Sequence, residues 1–175
     1  ISGAWGILSH LGVSEKVARL AVSRFTGLPF RQEKIATIGD VTYINDTTAT
    51  TPTAAIKALQ ATTTPFIWIT GGDTKNLPFD ELLVEVAKNE RLKKIIILGS
   101  LNIPSYVDQL KSLVGEKIIG TVDSMSSAVE VAASNSVPGD TVLLSPGFSS
   151  FDLFQNEFDR GRQFNTLVRA RNAQN

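Results

Sequence analysis

The sequence predicts an α/β fold with a mainly parallel sheet of six strands, helices on both faces, and one antiparallel strand in an N-terminal hairpin. From about residue 30 onward, short β-rich runs alternate with helical segments. Residues 95–98 and 142–144 are continuously apolar, which is typical of strands buried on both faces. Gly39 and Asp40 separate the first two runs and favour a hairpin. Together these features predict a Rossmann-like sheet.

The elements follow one another in a regular order. Before the sheet, residues 1–25 carry apolar side chains at helical spacing, with Gly12 as a break and Ser14 as a cap for a second helix. The turn residues at 26–29 predict a domain boundary, so that 1–26 and 27–175 belong to different domains. The predicted strands are residues 34–38, 41–45, 66–70, 94–98, 117–121 and 141–145. The predicted helices of the second domain are residues 52–61, 79–88, 106–114, 124–134 and 151–172.

The last predicted helix has two faces of different character. Its apolar face is expected to pack on the sheet; it consists of Phe154, Phe158, Phe164, Leu167 and Val168. The other face of this helix carries four arginines: Arg160, Arg162, Arg169 and Arg171.

Composition excludes several classes of protein. The chain has 175 residues, with 17 basic and 17 acidic side chains, so no long-range field favours nucleic acid or an anionic membrane. It has no cysteine, which fits a reducing compartment. No apolar run approaches the length of about 20 residues that a membrane span needs. The chain begins at Ile1 without a signal peptide, and we interpret it as a fragment of a longer protein.

Polar residues that follow three of the predicted strands are candidates for a ligand site, because open α/β sheets bind ligands at these ends. The first group, Asn45, Asp46 and the threonines up to Thr51, precedes a helix that starts near Pro52. Free N–H groups at a helix start attract anions, and the hydroxyls and carboxylate suit sugar or amine groups. The alternative is a polar loop whose threonines only cap the helix.

The second and third groups have similar alternatives. Gly71, Gly72 and Lys75 follow a strand and suit close approach of an anion, although the phosphate-binding spacing G-x-x-x-x-G-K-[ST] is absent. An ordinary glycine turn with an exposed lysine explains them equally well. Ser149, Ser150 and Asp152 are expected to cap the last helix, whose N-terminus would then face a carboxylate or phosphate.

Arg31 is a further candidate at the start of the first strand. It could pair with a phosphate through two parallel hydrogen bonds. The alternative is a surface salt bridge, for instance with Glu33.

These segments, in this order, resemble the C-terminal domain of the Mur ligases, and most closely the branch that adds D-glutamate. Residues 27–31 (G-L-P-F-R) resemble the family's G-L-P-H-R, and residues 44–50 (I-N-D-T-T-A-T) resemble I-N-D-S-K-A-T. Residues 71–75 resemble G-G-x-x-K, and residues 143–154 resemble L-L-S-P-A-C-A-S-x-D-x-F. Arg160-Gly161 matches the R-G that follows. The helices before Gly27 resemble the end of the family's central ATPase domain.

The resemblance implies an ATP-dependent, ADP-forming ligase of peptidoglycan synthesis in the bacterial cytoplasm. ATP with Mg²⁺ would activate the carboxylate of UDP-N-acetylmuramoyl-L-alanine, and the amine of D-glutamate would attack the acyl phosphate. The phosphate-binding loop and most magnesium ligands belong to the family's central domain, so this fragment is expected to be inactive alone and to hold no metal. By position, Arg31, Asn45 and Asp46 would face the nucleotide. By position, Thr50, Lys75, Ser150 and Phe151 would hold D-glutamate.

The sequence departs from the family pattern at three positions. Thr48 stands where the family has a lysine, and Phe30 where it usually has a histidine. Glu157 stands where an aromatic residue of the glutamate site would be, and a carboxylate there should repel a glutamate side chain. Either the helix register shifts by one residue, or the acceptor differs from D-glutamate.

Two alternative functions remain open from the sequence. One is another Mur-type ligase with an altered acceptor amino acid. The other is a non-catalytic nucleotide-binding α/β module, such as a receiver or a sugar-nucleotide sensor. A receiver needs a pair of acids after one strand, and Asp46 has no such neighbour.

Overall fold

A computed structural model describes residues 2–73, 77–99, 104–150 and 153–173. The strands are β1 (Glu33–Ile38), β2 (Val41–Asn45), β3 (Phe66–Gly71), β4 (Leu92–Leu98), β5 (Ile118–Val122) and β6 (Thr141–Gly147). The helices are α1 (Ser2–His10), α2 (Glu15–Ser23), α3 (Pro52–Ala61), α4 (Asp80–Lys88), α5 (Pro104–Val114), α6 (Met125–Asn135) and α7 (Glu157–Asn172).

The six strands form one sheet in the order β1-β2-β6-β3-β4-β5. β1 pairs antiparallel with β2 across the turn at Gly39 and Asp40, while the other neighbouring strands pair in parallel. The predicted sheet, including its single antiparallel strand, is therefore confirmed. The predicted start of α3 is also confirmed, since Thr51 caps this helix by accepting a hydrogen bond from the Ala54 N–H and Pro52 follows it.

The sheet is buried on both faces. Side chains of α3, α4 and α5 pack on one face and those of α6 and α7 on the other. Because the strands alternate their side chains between faces, Trp68 belongs to the first core and Ile67 and Ile69 belong to the second. The buried Trp68 indole donates to the Ser145 carbonyl at 2.7 Å, so its polar edge is satisfied.

Helices α1 and α2 keep much of their apolar surface exposed. Ile7 is 65% exposed, Leu11 is 71% exposed and Val17 is 57% exposed. Apolar faces of this kind are normally covered by another element, so residues 1–26 differ from the well-packed sheet region. Within the described residues, none of the helices combines the length and apolar character needed to cross a bilayer.

Helix α7 begins at Glu157, six residues later than the sequence predicts. Asn156 caps the helix by accepting from the Asp159 N–H at 2.9 Å. The prediction that Ser149 and Ser150 cap this helix is therefore wrong, and Asp152 lies outside the described residues. Ser149 instead pairs as an isolated bridge with Asp73, which keeps its backbone extended.

The expected faces of α7 also need correction. Phe164 and Val168 are buried as predicted, but Phe158 is 45% exposed and meets the Phe30 ring edge-on at 5.8 Å. Arg160, which the sequence places on the face opposite the apolar one, is only 1% exposed. Its burial follows from the contacts of the first turn of α7, which rests on the loop after β2 rather than on solvent.

The Arg160 guanidinium binds two loops at once. Its Nε donates to Thr47 Oγ1 at 3.0 Å and its Nη2 to the Thr47 carbonyl at 3.0 Å. Both terminal nitrogens also lie 3.3 Å from the Phe148 carbonyl. Thr47 follows β2 and Phe148 follows β6, so one side chain fixes the two loops relative to each other.

Asn45 and Gly161 complete this contact between α7 and β2. The fully buried Asn45 amide donates to the Gly161 carbonyl at 2.9 Å and to Asn165 Oδ1 at 2.6 Å. Its oxygen accepts from the Thr47 N–H at 3.0 Å. At residue 161 an added Cβ would lie 2.5 Å from Thr47 Cγ2 and 2.6 Å from Phe30 Cδ1. Only glycine therefore lets the helix approach this closely.

Replacing Gly161 with Ala should lower the free energy of unfolding by about 1–3 kcal/mol, because the new methyl group must push Thr47 or Phe30 aside. The measurement is urea unfolding of the chain followed by circular dichroism. Gly120→Ala is the matched control, since no atom lies within 4 Å of the Cβ it adds. Equal stability of the two variants would contradict the packing described.

Candidate functional site

Three loops meet at the edge of the sheet where the parallel strands end. They follow β2, β6 and β3, which are neighbouring strands in that order. The Gly147 N–H donates to the Ala49 carbonyl at 2.8 Å, which joins the first loop to the second. Asp73 and Ser149 exchange backbone hydrogen bonds of 3.1 and 3.0 Å, which join the second loop to the third. The structure thus brings the described parts of the three loops that carry the predicted groups together at one rim.

The close approach of the second and third loops depends on Gly72. Its φ is 127°, and an added Cβ would lie 1.8 Å from the Ser149 carbonyl oxygen. A side chain at this position would separate the two loops. The paired glycines are thus explained by contact between protein segments, an explanation that the sequence alone did not offer.

Not every predicted acceptor residue falls within the described structure. Thr50 is half-buried on the loop after β2, and Ser150 is 2% exposed on the loop after β6. Lys75 and Phe151 lie outside the described residues. Asp73, two residues before Lys75, is bridged to the residue next to Ser150.

Asp46 is a buried carboxylate at the base of this rim. It is 8% exposed; Oδ1 accepts from the Gln32 N–H at 3.1 Å and Oδ2 from the Ser145 hydroxyl at 2.9 Å. Burial raises the pKa of Asp46, and the hydrogen bonds from Ser145 and Gln32 and the charge of Arg31 offset this only in part. Burial therefore disfavours the ionised form of Asp46, and a hydrogen-bonding or cationic ligand would stabilise that form.

A groove of about 460 Å³ opens beside Asp46, between the segment before β1 and helix α3. Arg31, Thr48 and Lys57 line it together with alanines of α3. The Thr48 hydroxyl donates to the Phe30 carbonyl at 2.9 Å and is already engaged. Lys57 was missed at the level of sequence, because an exposed lysine within a helix carries no signal of its own.

The alternative interpretation of Arg31 as a surface salt bridge with Glu33 finds no support in the structure. Glu33 Oε2 instead accepts from the Phe30 N–H at 2.8 Å. The salt bridges among the described residues involve neither Arg31 nor Lys57. Both cations therefore remain available to an anion in the groove.

The groove is lined by chemical groups that could contact part of a nucleotide. A carboxylate can accept hydrogen bonds from sugar hydroxyls, guanidinium and ammonium groups suit phosphates, and alanine methyl groups offer an apolar wall. A magnesium site is not formed by these residues alone: within the described ranges, no cluster of three or more histidine, aspartate and glutamate side chains could hold a metal ion.

Asn45, expected on the nucleotide side, lies beneath the rim rather than on it. Its amide and carbonyl groups are used by Gly161, Asn165 and Thr47, and its side chain is fully buried. In this structure Asn45 supports the loop that carries Asp46.

The raised pKa of Asp46 has a consequence for stability. The folded state binds the Asp46 proton more tightly than the unfolded state. The contribution of Asp46 to the free energy of unfolding is therefore greatest below the unfolded pKa, and it decreases as pH rises through the folded pKa. Asp46→Asn cannot titrate; its amide oxygen can still accept from the Gln32 N–H, and its NH2 group can donate to the Ser145 hydroxyl, which then becomes the acceptor. The stability of this variant relative to the natural chain should therefore increase as pH rises above about 4.

This is tested by urea unfolding of both chains between pH 4 and pH 8. Every other titrating group cancels in the difference between the two free energies of unfolding. A difference that is constant with pH, or that decreases as pH rises, would contradict the assignment.

Comparison with known proteins agrees with this geometry. Residues 30–148 match the sequence family described as Mur ligase, glutamate ligase domain. A UDP-N-acetylmuramoylalanine–D-glutamate ligase from Roseiflexus sp. (strain RS-1) is 38% identical over 169 residues, and one from Christiangramia forsetii is 42% identical over 159 residues. These matches cover 96% and 91% of this chain but 36% and 35% of the relatives. The chain thus spans about a third of the relatives' length.

Solved structures show the same fold at low sequence identity. The UDP-N-acetylmuramate-alanine ligase MurC of Thermotoga maritima superposes with a TM-score of 0.66 at 16% identity. The MurF ligase of the same organism, in complex with ADP, superposes with a TM-score of 0.62 at 18% identity. Each comparison covers 94% of this chain and 36% of the other. By sequence and by fold, this chain belongs to the Mur ligase family and carries its glutamate ligase domain.

Proposed function

We propose that this chain is the C-terminal part of an ATP-dependent ligase that joins D-glutamate to UDP-N-acetylmuramoyl-L-alanine in bacterial peptidoglycan synthesis. The curated D-glutamate ligases that it matches at 38% and 42% identity support this substrate pair. The observation that carries the proposal is the joining of the loops after β2, β6 and β3 at one rim. These loops hold all the proposed acceptor-binding residues.

The reaction needs three reactants held in one place. Transfer of the γ-phosphate of ATP to the muramoyl-alanine carboxylate would give an acyl phosphate and release ADP. Attack of the D-glutamate amine on the acyl carbon would then form the amide, with loss of phosphate and of the amine proton. The amine must lie close to the activated carbon, so much of the acceleration comes from positioning. We propose that this chain positions the amine and closes one wall of the nucleotide site.

The proposed acceptor site consists of Thr50, Lys75, Ser150 and Phe151. D-glutamate carries two carboxylates, which require a cation such as Lys75 and neutral donors such as hydroxyl groups. Thr50 and Ser150 belong to loops that are hydrogen-bonded to each other through Gly147 and Ala49. The bridge between Asp73 and Ser149 supports a position for Lys75 on the same rim.

The proposed nucleotide side consists of Arg31 and Asp46, with Asn45 as a support beneath them. Arg31 would contact a phosphate or the ribose, and the Asp46 carboxylate would accept from ribose hydroxyls. Magnesium would be held mainly by residues of the longer protein.

The chain covers about a third of its relatives' length, so we propose that its further contacts are with other domains of a longer protein. We propose that residues 1–26 end a central ATPase domain, and that the exposed apolar faces of α1 and α2 pack within it. Closure of that domain on residues 27–175 would exclude water and protect the acyl phosphate from hydrolysis. The site of action would be the bacterial cytoplasm, without nucleic acid or membrane partners.

The most direct test assays the full-length protein that carries this chain with ATP, UDP-N-acetylmuramoyl-L-alanine and a panel of amino acids. We expect ADP release coupled to amide formation with D-glutamate, and no product from the 175-residue chain alone. Preference for another amino acid would point to a Mur-type ligase with a different acceptor, as Glu157 would allow. Nucleotide binding without ligation of any amino acid would favour the non-catalytic module.

A second test concerns Lys75. Replacing it with Ala in the full-length protein should raise the KM for D-glutamate by roughly tenfold or more, because a charge-assisted hydrogen bond to a carboxylate is lost. The KM for ATP should change little. Lys111→Ala, at an exposed lysine of α5, is the control. An unchanged KM for D-glutamate would remove Lys75 from the acceptor site.

A further inference from the structure

The groove beside Asp46 has one wall formed by helix α3. Ala54, Ala58 and Ala61 line it, and Lys57 lies on the same face, three residues after Ala54 and four before Ala61. Alanine side chains leave this surface shallow and open, while Lys57 is exposed and can extend its ammonium group along it. The lysine is thus the polar feature of an otherwise apolar wall.

The charges that line the groove do not balance. Arg31 and Lys57 contribute two positive charges, against one carboxylate from Asp46. The two Asp46 oxygens accept from Gln32 and Ser145, and neither is within salt-bridge distance of Lys57. The groove therefore presents excess positive charge beside an apolar surface, and this combination suits a nucleoside carrying phosphates.

The Thr48 hydroxyl is not available to donate a hydrogen bond to a phosphate of such a ligand. It donates to the Phe30 carbonyl, as the described hydrogen bonds show. Besides Arg31, the basic side chain that lines this groove is Lys57 of α3. A second phosphate bound here would therefore be contacted by Lys57.

We infer that Lys57 binds a phosphate of the nucleotide, as a second cationic contact beside Arg31. This inference rests on the proposed function, because it assigns a part of the same nucleotide to a residue outside the proposed set. As an exposed point charge on a flexible stem, Lys57 contributes affinity for phosphate and no contact to the nucleoside. Its effect is therefore specific to phosphorylated ligands and decreases with salt.

The experiment measures the dissociation constants of ADP, with Mg²⁺, and of adenosine by calorimetry on the full-length protein. Lys57→Ala should weaken ADP binding by about tenfold. It should leave adenosine binding within about twofold, because adenosine has no phosphate. Lys57→Arg should restore most of the ADP affinity, and Lys111→Ala should match the natural protein. Unchanged thermal unfolding of each variant checks that α3 is intact.

Each other outcome overturns the inference. Equal loss of ADP and adenosine affinity would mean that Lys57 acts on the shape of the groove, and unchanged ADP affinity would mean that it does not contact the nucleotide. If the natural protein ligates D-glutamate while Lys57→Ala binds ADP normally, the inference fails and the proposed function stands. If the natural protein neither binds ADP nor forms product, both fail.

Discussion

A guanidinium group that is almost fully buried holds together the parts of the sheet edge on which this site is built. Arg160 reaches from the first turn of α7 to the oxygens of Thr47 and to the carbonyl of Phe148. Burying a cation is costly unless its donors are satisfied, and here oxygen atoms of two loops accept from them. The arrangement couples the loop of Asp46 and Thr50 to the loop of Ser150.

The other contacts of α7 make this coupling rigid. Asn45 uses its side-chain amide and carbonyl groups in hydrogen bonds to the helix and to its own loop. Gly161 removes the side chain that would keep helix and loop apart. These residues lie beneath the rim, so they support the residues that we propose to face a ligand. A site whose loops are locked in this way can hold an amine and a carboxylate with little further loss of entropy.

Whereas Arg160 and Asn45 stabilise this edge of the sheet, the buried Asp46 carboxylate destabilises the folded state when it is ionised. Its buried carboxylate has a raised pKa and two hydrogen bonds, and the positive charge of Arg31 compensates it only in part. Groups of this kind concentrate at functional sites because a ligand can satisfy them. With Arg31 free of Glu33, the edge beside α3 has both an acceptor and donors ready for a polar, charged ligand.

Much of the fold followed from local patterns in the chain. The alternation of apolar strands with helices, the hairpin turn at Gly39 and Asp40, and the Thr51-Pro52 helix start each depend on neighbouring residues, and each was predicted correctly. The sequence also predicted polar groups after three strands, and the described parts of the loops that carry them meet because the carboxyl ends of parallel strands share one edge. Their motifs were sufficient to indicate the family.

The features of the fold and of the candidate site that the sequence did not predict depend on contacts between distant segments. The sequence shows Arg160 as one of four arginines on a helix, and only the packing of α7 on the loop after β2 makes it buried. The late start of α7, the use of Gly72 for contact with Ser149, and the presence of Lys57 and Asp46 in one groove likewise depend on tertiary contacts. Sequence periodicity reports which face of an element is apolar, but burial of a polar side chain depends on which partners the tertiary structure brings to it.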